Sequence, residues 1–332
     1  MSVESVRWLQ SPSPEDVVTV AAMVSDFWRE VLPGEPDLPA GELAALSRTA
    51  DHRRVLVAVL DKGDEPVGAA RLVLNDVQGC TDEAFIHFLV VGAEHRSRGI
   101  GRALLDAVVE RARNDGRTKL KFDVATSHRA GMAFAEATGA RQGLLAEQNR
   151  VRTDQLDRAL LEAWVKAADE RASGYSLLCF DDVCPDDWLD QLTLVTGVMN
   201  TAPRSDEDQD VTWTAEQLRA NQEAHLRRGG WNWTVCARHD ATGELVGYTE
   251  LGGFVYRPWL AQQGDTGVEP SHRNRGLGRW IKAANALRLL RERPEMSVVE
   301  TWNAGVNAPM LSINHAMGFG QVARWQEWVL SL

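Results

Sequence analysis

The chain has 332 residues, 44% of them apolar and 25% charged, a balance that suits two globular domains of ordinary size. Its net charge of −11 argues against nucleic acid as a partner, since an acidic surface repels phosphate backbones. No run approaches the roughly 20 apolar residues that span a bilayer, and the four cysteines have no Cys-x-x-Cys or other metal-ligand spacing.

Ser5 to Leu9 is expected to form a first short strand. Ser13-Pro14-Glu15 then supplies a capping serine, a first-turn proline and an acid for a helix to about Val31, stopped by Pro33-Gly34. A second helix is expected near residues 40–47. Residues 54–60 and 66–74 form a hairpin around Asp61 to Glu65, and residues 84–91 form a fourth strand. A helix to about Asn114, a fifth strand at 120–125 and a helix at 129–138 closed by Gly139 complete this half. Residues 153–172, rich in Leu, Ala, Glu and Arg, read as a packed connecting helix. The same order then returns. Residues 175–180 form a strand, and Pro185 opens a helix to about Asn200. An acidic loop follows at Asp206 to Asp210, and Thr214 caps a helix to about Leu226. Strands follow at 231–238, 245–254 and 265–268, then at 298–302 and 325–330, with a helix at 308–317 before the last. The expected domains are therefore 1–150 and 174–332, joined by residues 151–173.

Two stretches organise this order. Arg96-Ser97-Arg98-Gly99-Ile100-Gly101-Arg102 recurs as Arg273-Asn274-Arg275-Gly276-Leu277-Gly278-Arg279. Each follows an apolar run ending at Val91 or Val268, and each precedes an amphipathic helical pattern. Gly68 recurs as Gly247 and Gly139 as Gly318, at offsets of 177–179 residues throughout. So long a period marks a duplicated domain, because solenoid units repeat every ~20–50 residues. A strand, a Gly-rich turn and a helix present unpaired backbone N–H groups at the positive end of a helix dipole. That corner binds a phosphate or pyrophosphate, with glycines allowing close approach and arginines adding charge-assisted contacts.

The Arg-x-Arg-Gly-x-Gly corner after a strand resembles the acetyl-CoA pyrophosphate loop of the GCN5-related N-acetyltransferases (GNAT). The chain resembles a tandem pair of them over nearly all its length. The resemblance implies an α/β (α+β) fold in which each domain is a mixed twisted sheet with helices on both faces. It implies acetyl-CoA as donor and a primary amine of a small molecule or peptide as acceptor. The two corners would hold the cofactor, with no metal. A backbone amide at or beside Val268, or Val91 in the first half, would face the thioester oxygen. Asn303 and Asn307 would contact the pantetheine arm.

A strand glutamate is a frequent base in the family, and aligning the third strands from Gly68 and Gly247 sets Arg71 against Glu250. Glu250 is therefore the candidate base; a salt-bridged or solvent-facing glutamate is the alternative. The family's last helix often carries a tyrosine that protonates the leaving thiolate, four residues before Gly-Phe. Here Asn314 stands at that position in the second half, ahead of Gly318-Phe319, and Ala135 in the first. Asn314 or a water would then supply the hydrogen bond. The second half is expected to be the active one. Two further readings stay open: a catalytically silent CoA-binding or regulatory protein, and an enzyme of the mycothiol-synthase type. A tRNA-dependent transferase of the Fem type fits less well with the acidic balance. Trp302 is expected near an acceptor pocket, and Asp206 to Asp210 and Arg257 to Gln263 in acceptor loops. Reduced cysteines and an N-terminus without a basic or apolar leader suggest a cytoplasmic protein. The oligomeric state, monomer or homodimer, is left open.

Overall fold

The computed structural model describes residues 6–9, 13–205 and 208–332. Expectations for Met1 to Ser5, and for Asp206 and Glu207 of the acidic loop, lie outside the described residues. The chain packs as two compact units, one of Met1–Leu145 with Ala323–Leu332 and one of Ala146–Val322.

The first unit contains β1 (Val6–Leu9), α1 (Pro14–Val31), α2 (Ala40–Leu46), β2 (Arg53–Lys62), β3 (Glu65–Asn75), β4 (Glu83–Val91), α3 (Ile100–Asn114), β5 (Lys119–Ala125) and α4 (Arg129–Ala137). Ser13 and Asp16 cap α1 reciprocally, which satisfies two orphan donors and fixes where the helix starts. Antiparallel pairing runs from β1 through β2 and β3 to β4, and β4 then pairs parallel with β5. Leu104, Leu105 and Val108 of α3 pack on one face of this sheet, and Val17, Val20 and Val24 of α1 on the other.

The second unit repeats the plan with β7 (Tyr175–Asp181), α6 (Asp186–Thr196), α7 (Ala215–Arg227), β8 (Gly230–His239), β9 (Leu245–Phe254), β10 (Leu260–Val268), α8 (Leu277–Glu292), β11 (Val298–Ala304) and α9 (Ala308–Ala316). β7 to β10 pair antiparallel and β10 pairs parallel with β11. Leu192, Val195 and Leu218 of α6 and α7 cover one face, while Leu277 and Ile281 of α8 cover the other. Each unit is thus a mixed sheet between helical layers, the α/β arrangement expected.

Four features depart from the sequence reading. First, Arg141–Arg152 is a strand, β6, that nothing in the sequence announced. Its run Leu-Leu-Ala-Glu-Gln-Asn-Arg is poor in β-branched residues, so propensity opposes the strand and tertiary pairing imposes it. Second, the compact units are drawn differently from the expected domains 1–150 and 174–332, because the sixth strands set their limits. Residues 146–152 of β6 pair with β11 in the second unit, whereas Trp325–Ser331 of β12 (Gly320–Ser331) pair with β5 in the first. Third, the connecting segment is a short turn at residues 153–155 and a helix, α5 (Arg158–Arg171). Ala168 and Ala172 pack with Leu277 and Ile281, so α5 belongs to the core of the second unit. Residues 260–263, expected in an acceptor loop, are the start of β10.

Candidate active site

The site is built where β10 meets α8. A short 3-10 turn at Pro270–His272 leads to Arg273, then Asn274 at φ +65° and Gly276 at φ +82°. Asparagine tolerates the left-handed region and glycine enters it freely, which is why these types stand at these steps. Gly276 caps α8 with no side-chain hydrogen bond, so the cap residue offers nothing to the first-turn N–H groups. They are left to an anion, the arrangement a diphosphate needs. Arg273 turns back instead: its Nε donates to the Val268 carbonyl (2.8 Å) and its guanidinium to Thr201 Oγ1 (2.5 Å). Its role is to hold the corner's shape rather than to lie free for phosphate.

The first unit forms the same corner, with Ser97 at φ +60° and Gly99 at φ +84° opening α3 through Ile100, Gly101 and Arg102. Arg96 again reaches back, to the Val91 carbonyl (3.2 Å), but its guanidinium grips the Glu30 carboxylate at 2.7 and 3.1 Å. His128 Nε2 lies 3.3 Å from the same carboxylate. Arg96 lowers the Glu30 pKa, so Glu30 stays ionised at neutral pH. An anion thus flanks the first corner where a neutral threonine flanks the second.

A cleft of about 690 Å³ opens along the second corner, within the usual range of small-molecule sites. Val268, Arg273, Asn274, Gly276, Leu277, Gly278 and Arg279 line it, with Asn307 and Met310 at the start of α9. The opposite wall is Val198 to Pro203, and His272 and Arg171 complete it. That wall presses on β10: a Cβ at Gly267 would collide with Val198 Cγ1, so the close approach requires glycine. Arg275 and Asn303 are not among the lining residues.

β10 is bulged at the cleft. Gln263 pairs with Leu251 and Thr266 with Thr249, leaving Gly264 and Asp265 opposite Glu250 alone. Parallel pairing with β11 covers only Leu260 to Gln262, after which the two strands separate. β4 does the same in the first unit, where His87 is the extra residue and pairing with β5 covers only Glu83 to Ile86.

Glu250 sits against this bulge. Its neighbour Thr249 bonds Thr266 (Oγ1 to Oγ1, 2.8 Å), and Thr266 lines the cleft. Strand alternation therefore puts Glu250 on the other face of β9, the face of Tyr248, and Glu250 is not a cleft-lining residue. Asn232 Nδ2 donates to its Oε1 at 3.4 Å. Burial, followed by the charge of Asp265, raises its pKa to about 7. Tyr248 donates its hydroxyl to Asp265 (3.2 Å).

Asn314 is fully buried and also stands off the cleft. Its amide donates to Asn303 Oδ1 (2.7 Å) and its carbonyl accepts from Lys282 Nζ (2.8 Å). Trp302 is 42% exposed, its indole donating to Glu300 (3.3 Å). His272 Nδ1 is engaged by the Tyr175 hydroxyl at 2.8 Å. The sequence reading missed Thr201, Asp265 and Lys282. Only Lys282 left a signal: a lysine beside Ile281 on the apolar side of α8.

Known proteins resemble this chain in sequence and fold. The Acetyltransferase (GNAT) family model matches residues 20–140, within the first unit. The mycothiol acetyltransferase of Clavibacter sepedonicus is 28% identical over 298 residues, 86% of this chain and 84% of that protein. A tandem GNAT protein from the clavulanic acid biosynthesis pathway superposes with a TM-score of 0.79, at 28% identity, over 98% of both chains. A GCN5-related N-acetyltransferase from Sphaerobacter thermophilus, at 15% identity, shares the fold over 98% of this chain and 95% of its own (TM-score 0.67). Two bulged fourth strands, each feeding a capless helix through an Arg-Gly corner, define an N-acetyltransferase class. With the family model matching in the first unit and the same features repeated in the second, the chain resembles a tandem pair of GCN5-related N-acetyltransferases (GNAT).

Proposed function

We propose that this enzyme moves an acetyl group from acetyl-CoA to a primary amine of a small molecule or peptide by direct transfer, with the second unit as the active half. The observation that carries the reading is the cleft of the second unit, where a capless α8, the separated end of β10 and Asn307 converge. The first-turn amides of α8 take the diphosphate, and Asn307 and the end of β10 take the pantetheine arm. The backbone amide at or beside Val268 faces the thioester oxygen, where charge builds as the amine attacks. Glu250 reaches the acceptor from the other face of the sheet, through the gap beyond Gln262. An alkylamine has a pKa of about 10 and must lose a proton before it attacks. A carboxylate with a pKa of about 7 is suited to take it at neutral pH. Glu30 argues against a diphosphate at the first corner, because its carboxylate already occupies and neutralises the Arg96 guanidinium there. All four cysteines are free, in keeping with a cytoplasmic enzyme.

The test is free-thiol release from acetyl-CoA over a panel of amines. Gly278→Asp is expected to abolish release and acetyl-CoA binding, while Gly101→Asp leaves both within about 3-fold of wild type, because only the second corner takes the charge. The reverse pattern would assign the reaction to the first unit. Binding without release to any amine would mark a silent CoA-binding protein. A second reading of the acceptor is favoured by the alignment along 86% of the chain with a mycothiol acetyltransferase. The panel should include the acceptor of that enzyme.

A further inference from the structure

Lys282 is 1% exposed, one of the most deeply buried side chains of the protein. It is carried on α8, six residues past Gly276. Its ammonium donates to Asn314 Oδ1 at 2.8 Å, lies 4.0 Å from Met310 Sδ and stands 6.0 Å from the centre of the Phe319 ring. Among the described residues no carboxylate forms an ion pair with it. A buried ammonium without an anion is costly, and replacing it by an apolar side chain would normally favour the fold. Something other than stability has to account for it.

Its surroundings indicate what. Met310 lines the cleft, so the ammonium sits directly behind the cleft wall. Asn314, which it holds, occupies the helix position where the family resemblance calls for a thiolate-protonating tyrosine. Asn314 in turn fixes Asn303 at the end of β11, facing the gap beside β10. We propose that Lys282 is a positioning residue that supplies a positive charge behind the sulfur of the leaving thiolate and takes over the work of the absent acid. The inference rests on the second-unit cleft being the acetyl-CoA site.

The step balances without a proton from Lys282. The amine nitrogen bonds the acetyl carbon, the carbon–sulfur bond breaks, and the electron pair stays on sulfur. The amine proton goes to the base. A thiolate is already a fair leaving group, and a nearby cation lowers its energy further. The groups facing Lys282 are Met310 and Asn314 from α9, with Phe319 beyond it, and none of them titrates. Burial alone lowers the Lys282 pKa, to about 7, so an anion arriving in the cleft would restore its charge.

The experiment reads the thiol of bound CoA rather than turnover alone. Thiolate absorbance of CoA is titrated on the wild type, Lys282→Met and Lys282→Gln, with melting temperature and acetyl-CoA kinetics alongside. Free thiols have a pKa of about 8.5; the bound thiol is expected about one unit lower on the wild type and back near the free value on both variants, a ~10-fold change in thiolate fraction. kcat should fall by about 10-fold or more with KM for acetyl-CoA within about 2-fold, since the lost interaction belongs to the transition state. Lys282→Met should melt no lower than the wild type. Lys282→Gln keeps a donor for Asn314 without the charge, so wild-type behaviour in that variant would overturn the proposal. So would an unshifted bound thiol in the wild type. Failure of the wild type to bind CoA would instead overturn the reading of the cleft.

Discussion

Lys282 is kept from water and Glu250 is partly so, and the charged form of each costs the fold some stability. The Glu250 carboxyl has a folded pKa of about 7 against an ordinary value of 4.5. The folded state therefore binds more protons between those values, and the group's contribution to stability falls as pH rises through that window. Glu250→Gln should raise the melting temperature at pH 8 and change it little at pH 4; with part of the side chain in solvent, the gain is at most about 3 kcal/mol. The same variant should lose about 100-fold or more in kcat/KM. In the wild type kcat/KM should climb with pH through about 7 as Glu250 ionises. Full activity in Glu250→Gln would remove it as base. For Lys282 the sign reverses. Its pKa is lowered, so the unfolded chain binds the extra proton and this group's penalty eases as pH rises from about 7 toward 10.5.

The elements that form the cleft differ in how far the sequence disclosed them. The two corners were legible because their chemistry is local. A left-handed step selects Gly276 and Gly99, a helix must start after them, and arginines flank the anion site. The helix caps at Ser13 and Thr214 were legible for the same reason. The cleft's opposite wall was not, since the position of Val198 to Pro203 is set by packing against Gly267, far away in sequence. Gly267→Val tests that packing. It should displace the wall, cost about 1–3 kcal/mol of stability by overpacking, and weaken acetyl-CoA binding. Unchanged stability and binding would show the wall yields freely. β6 was unreadable because its partner decides it: Gln148 and Arg150 both bind the buried Glu300 of β11, at 2.8 and 2.6 Å. Glu250 was found from a strand alignment, but its raised pKa comes first from burial and then from Asp265 across the bulge, and periodicity reveals neither.

At the scale of the molecule, duplication was plain from offsets of 177–179 residues, yet the limits of the units were not. Residues 323–332 complete the first unit, where Trp325, Trp328 and Val329 are each at most 5% exposed. Trp325 packs beside Trp28 with ring centres 5.3 Å apart. A chain ending at Val322 should therefore lose the order of the first unit, read as protease cuts within residues 14–145. Adding a peptide of residues 320–332 should restore protection. Resistance without the peptide would show that β12 is dispensable. The arrangement also orders events during synthesis. Domains generally fold as they emerge, N-terminal first, but here the earliest-made unit must wait with its sheet open at β5 until the ribosome has delivered all of its sibling and then residues 323–332.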